Sequence, residues 1–129
     1  MQVESIDAVI AAKREVHPEL AHPLTWDALR AITDREGIVL AAVSLTRPAK
    51  LVAYDGAWMI LVNSGLPPRR HTYFAAHELG HLWLHRTSDA GERLVYHMDT
   101  NWPNDPREDD AEFFAQRVLG ERPGTAQTT

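Results

Sequence analysis

His77 and His81 stand four apart in the run Phe74-Ala75-Ala76-His77-Glu78-Leu79-Gly80-His81-Leu82-Trp83-Leu84-His85, with Glu78 directly after the first. Residues four apart share one face of a helix, so the two imidazoles can close on one tetrahedral cation. Such a cation acidifies water, and a neighbouring carboxylate that is not itself a ligand can take the proton as that water attacks a carbonyl. Glu78 is placed for that base role. His-Glu-x-x-His fixes only three positions and recurs by chance. It acquires meaning only with a third ligand and elements that hold all three together.

The third ligand is sought in Glu108–Leu119, which has helical order with Ala111, Phe114, Ala115 and Val118 as its apolar stripe. Acidic residues ordinarily favour a helix start through the macrodipole alone. Phasing at about 100° per residue separates the four present. Glu108 lies at the edge of the stripe, nearest its centre, and is expected to be the ligand. Glu112, one turn on, is expected to accept a hydrogen bond from a ligand histidine, and Asp110 to point away. A small error in phasing would exchange Glu108 for Glu112.

The other histidines fit a metal less well. His85 continues the face but lies about 12 Å along the helix from His77, so it is expected instead to pack against a neighbour or to hydrogen-bond nearby. The longer pattern His-Glu-x-x-His-x-x-Gly-x-x-His is absent, because Leu84 and Thr87 stand at its last two fixed positions. His71 is expected to be exposed, as are His17 and His22, each of which precedes a proline. Tyr96 and His97, in the stretch 86–107, are candidate donors to a developing oxyanion. The chain has no cysteine, so its metal must be held by His and carboxylate. Zinc is the expected ion, though manganese or iron(II) suits similar ligands.

The scaffold reads as α+β. Ser5 is a candidate cap for a first helix reaching Arg14 or Glu15, and His17–Pro23 is a linker. Thr25 caps Trp26–Glu36, with Leu29, Ile32 and Thr33 facing inward and Gly37 as the stop. The period then changes to that of strands: Ile38–Leu45, expected to be buried, then Lys50–Tyr54 and Trp58–Asn63. Thr46–Ala49 forms one turn and Asp55-Gly56 a hairpin, which together predict a three-stranded antiparallel sheet. The third strand is the one expected to line the site. Pro67 and Pro68 suit the start of the metal-motif helix. Gly80 costs that helix about 1 kcal/mol relative to alanine, so a close neighbour is expected against it.

With 129 residues, 44% hydrophobic and 24% charged, the chain suits one domain over 1–120, followed by a flexible tail, 121–129. A net charge of −5 argues against direct nucleic-acid binding, which needs a basic face. The acidic amino terminus lacks a signal-peptide n-region, and no apolar run approaches the roughly 20 residues of a membrane span. A cytoplasmic protein is expected.

Across Phe74–His85, Glu108–Leu119 and the hairpin leading into Val62-Asn63-Ser64, about half the chain resembles the ImmA/IrrE family of metallo-endopeptidases. The resemblance implies a small zincin-like, gluzincin-type domain. It implies His77, His81 and Glu108 as zinc ligands and Glu78 as general base. The partner it implies is a protein substrate, a helix-turn-helix repressor of a mobile element or stress regulon. Glu112 stands where the family usually has Asn or Asp, Asp110 where it has Glu, and Gly120 where Met-Pro follows the helix. A second reading is a zincin-fold module that binds a regulator without cutting it. Glu78 speaks against that, since a purely structural site needs no base.

Overall fold

A computed structural model describes residues 2–54, 56–85, 95–97 and 106–120, with Tyr54 and 95–97 described by backbone alone. In chain order these form α1 (Val3–Val16), a 3-10 turn (Pro18–Ala21), α2 (Trp26–Glu36), β1 (Val39–Val43), β2 (Ala49–Tyr54), β3 (Ala57–Asn63), α3 (Pro68–His85), β4 (Val95–His97) and α4 (Pro106–Leu119). The α+β class holds. The expected tail, 121–129, lies outside the described residues.

Local chemistry accounts for most boundaries. Thr25 Oγ1 accepts the Ala28 N–H at 3.1 Å and opens α2. Gly37 closes it with φ 73°, its N–H reaching Asp34 and the Ile38 N–H reaching the Thr33 carbonyl at 2.8 Å. Pro68 occupies the first position of α3, as expected. Tyr54 pairs with Ala57 and Gly56 has φ 81°, as a hairpin between these strands requires, while Asp55 of the expected turn lies outside the described residues. Ser5 does not cap α1, which begins at Val3 behind Gln2 with no side-chain cap bond.

The sheet departs from expectation. It has four strands in the order β1-β3-β2-β4. β1 runs parallel to β3, while β2 is antiparallel to both β3 and β4. The chain leaving β1 therefore crosses past the place β3 will take, instead of turning back as a hairpin. The Asn63 N–H donates to the Pro48 carbonyl, and the Ser64 N–H to the Val43 carbonyl, both at 2.8 Å, which ties the end of β3 to both flanks. Placing β3 in the middle buries Ile60 and Val62 completely. β1 becomes an edge, so it is not the buried strand expected: only Leu40 is buried and Val39 is 45% exposed.

One face of the sheet holds the core. Leu40, Ile60 and Leu51 are paired across three strands and all are buried, as are Val62 and Ala49 beside them. Leu29 and Ile32 of α2, Leu79 of α3 and Phe114 of α4 complete the cluster. α3 is buried almost continuously from Phe74 to Leu82, and its most extensive partner is α4. Gly80 explains how close they come: a Cβ there would lie 2.9 Å from Phe114 Cδ1 and 3.1 Å from Cγ. The neighbour expected against this glycine is the Phe114 ring.

His17 overturns its reading as an exposed loop residue. It is fully buried and stacks on Trp83 of α3, with ring centroids 5.9 Å apart. Its Nε2 lies 2.5 Å from Glu36 Oε2, and Arg35 Nη1 donates to its Nδ1 at 2.7 Å. Trp83 Nε1 and Lys13 Nζ also donate to Glu36. This polar knot joins α1, α2 and the last turn of α3. Its partners are 18 or more residues away in sequence, beyond the reach of any local pattern. His22 is exposed, as expected, while His71 is half-buried against Trp26.

Candidate metal centre

α3 presents His77 and His81 on one face, and α4 brings Glu108 against both. His77 Nε2 lies 3.0 Å from Glu108 Oε1, and His81 Nε2 lies 3.0 Å from Glu108 Oε2. One ligand atom from each of the three residues can be chosen so that all lie within 4.8 Å of one another. An ion held tetrahedrally at roughly 2.0–2.2 Å from nitrogen and oxygen ligands needs this kind of spacing. Both histidines are buried, and Glu108 Oε2 is enclosed without a hydrogen bond. The donor set fits a divalent cation.

Glu78 follows His77 and is 0% exposed, with neither carboxylate oxygen hydrogen-bonded among the described residues. Burial lifts its pKa to about 8, against the opposing pull of His77 and with a further push from Glu108. A group tuned toward neutrality suits proton transfer. Burial also drives the His77 imidazole down, but Glu108, Glu112 and Glu78 outweigh it and raise the group to about 9. Desolvation works against the Glu108 carboxylate, yet the two histidines hold it at about 2. Burial and the neighbouring His77 keep His81 low, although Glu108 opposes them.

Behind the three lie further groups. Glu112 Oε1 stands 3.7 Å from His77 Nδ1, too long for a direct hydrogen bond but within ion-pair range. The Tyr73 hydroxyl donates to Glu112, and Gln116 Nε2 does so at 3.2 Å. On the other flank His85 Nδ1 lies 3.2 Å from His81 Nδ1, and His85 Nε2 lies 3.1 Å from Asp110 Oδ2. Of the two roles expected of His85, packing against a neighbour or hydrogen bonding nearby, these contacts are the second.

Asp110 does not point away as expected. It is 8% exposed and tied to His85. Phasing α4 on its apolar stripe alone missed this, because the stripe does not record that the facing helix α3 offers polar partners. The signal available was His85 at four residues from His81, which places a third imidazole in line. Tyr73 was missed too, although it precedes His77 by the same four residues. Tyr96 and His97 lie in β4, with Cα partners Leu51 and Lys50; their side chains are outside the described residues. β3, expected to line the site, sits between β1 and β2 and has no free edge.

The family model for the IrrE N-terminal-like domain, Peptidase_M78, matches residues 33–119, about two thirds of the chain. That span runs from the last turn of α2 to the end of α4, and so contains the whole sheet and every group described at the centre. No curated protein matches the chain. With the family model covering all the elements that build the His-His-Glu cluster, the chain belongs to the IrrE N-terminal-like family of metallopeptidases.

Proposed function

We propose that this protein is a zinc-dependent endopeptidase that cuts a helix-turn-helix transcriptional repressor in the cytoplasm. His77, His81 and Glu108 hold the ion, and Glu78 is the general base. The observation that carries the reading is Glu78 itself. A buried carboxylate with no hydrogen bond among the described residues destabilises a fold by about 1–3 kcal/mol or more, so its place is explained by chemistry and not by packing.

Zinc, when bound, polarises the scissile carbonyl and acidifies water. One oxygen of Glu78 accepts the proton from the attacking water and returns it to the departing amine nitrogen. His77 and His81 turn Nε2 inward, with Glu112 facing the far nitrogen of one and His85 that of the other. The described strands that end the sheet are β1 and β4. Main-chain pairing with an extended substrate therefore falls to one of these edges. The repressor as substrate is supported by the resemblance to ImmA/IrrE proteins.

The test combines the zinc-loaded protein with a purified helix-turn-helix repressor and follows fragments by mass spectrometry. Cleavage that a chelator stops is the expected result. Glu78→Gln keeps size and polarity but removes the base, so it should retain its ion and lose about 10²–10⁴ in rate. A regulatory response that persists in Glu78→Gln with the repressor full length would overturn the peptidase and leave a binding module.

A further inference from the structure

We infer that His85 and Asp110 form a relay that fixes the tautomer of His81 and so sets the metal affinity of the centre. His85 is a positioning residue, and the inference rests on the metal-centre reading above. Donor counting carries it. An ionised Asp110 can only accept, so the contact at 3.1 Å requires N–H on His85 Nε2. A neutral His85 then offers a lone pair at Nδ1, and the 3.2 Å contact requires N–H on His81 Nδ1. His81 is left with its lone pair on Nε2, the nitrogen that faces Glu108. With both imidazoles neutral, the tautomer of His81 that satisfies these two contacts is the one that can bind a cation through Nε2.

The two ligand histidines are therefore backed differently. His77 faces the Glu112 carboxylate across 3.7 Å, whereas His81 reaches Asp110 through an intervening imidazole. His85 is only 9% exposed in its side chain and Asp110 11%, so water does not easily replace either bond. Groups in this outer position are commonly worth 10–100-fold in metal affinity.

The experiment measures zinc affinity by chelator competition for the unaltered protein, His85→Phe and His85→Asn, with thermal melts of the metal-free forms as a folding check. Phenylalanine keeps the ring volume and removes the acceptor. Asparagine loses volume but sets an amide oxygen near the place of Nδ1. The relay predicts affinity lowered by about 10–100-fold in His85→Phe and largely recovered in His85→Asn. Simple packing predicts the opposite order, which would overturn the relay, as would wild-type affinity in His85→Phe. Should neither variant fold, nitrogen-15 spectra of the zinc-loaded unaltered protein decide: the relay requires the proton of His81 on Nδ1 and that of His85 on Nε2, and any other pattern refutes it. Failure of the unaltered protein to take zinc would instead sink the metal-centre reading, and the relay with it.

Discussion

Gly80→Ala tests whether the contact between α3 and α4 governs the metal centre. In an isolated helix the change would help by about 1 kcal/mol. Here the new methyl would meet Phe114 at 2.9, 3.1 and 3.2 Å from Cδ1, Cγ and Cβ. The ring cannot simply swing aside, because Phe114 is fully buried and held edge-on against Trp83, with centroids 5.7 Å apart. Overpacking of this kind costs about 1–3 kcal/mol, which leaves a net loss of roughly 0–2 kcal/mol after the gain in helix propensity. Relief by moving α4 outward would also withdraw Glu108, which sits six residues before Phe114 on the same helix. Urea unfolding of the metal-free protein reads the first effect and chelator competition the second. Gly80→Ala should be no more stable than the unaltered protein and should bind zinc more weakly. Adding Phe114→Leu should recover part of the zinc affinity, a coupling that a double-mutant cycle isolates. A Gly80→Ala protein stabilised by about 1 kcal/mol with unchanged zinc affinity would show that the close approach does not matter.

Glu108→Ala should lower the zinc content of dialysed protein sharply, whereas exposed Asp109→Ala should leave it unchanged; equal loss in both would mean that diffuse charge, not ligation, attracts the ion. Glu36→Gln should cost about 1.5–3 kcal/mol at neutral pH, the range for hydrogen bonds to a charged group. Burial opposes the Glu36 carboxylate, but His17, Trp83 and Lys13 hold its folded pKa below the usual value. Its contribution is thus complete above the unfolded pKa and disappears as pH falls through the folded one. The melting-temperature gap between the two proteins should accordingly close in strong acid, and an equal gap at acid and neutral pH would refute the assignment.

The parts of this fold that were legible in the sequence are those set within a few residues. Thr25, Gly37, Pro68 and Gly56 act on their immediate neighbours, and the elements they bound are where local chemistry puts them. Helical spacing likewise brought His77 and His81 to one face, and the stripe of α4 put Glu108 within their reach. Strand order was not legible. β1 and β3 pair in parallel, and apolar strands of similar length carry no mark that distinguishes a central place from an edge. His17 and Asp110 failed for one shared reason. Each is a polar residue whose partner lies on another element, so sequence offers only its usual preference for solvent.

Among the described residues, the carboxylates placed to share an ion with the two histidines or to back them come from α4, and this has a consequence in time. Glu108 follows His85 by 23 residues, which a ribosome adding about 5–20 residues per second takes roughly 1–5 s to supply. Throughout that interval a nascent α3 offers only two nitrogens, and the pocket that would enclose an ion does not yet exist. On the proposed reading, metal capture waits until α4 docks against Gly80, and Glu78 has no ion to work beside on a half-made chain.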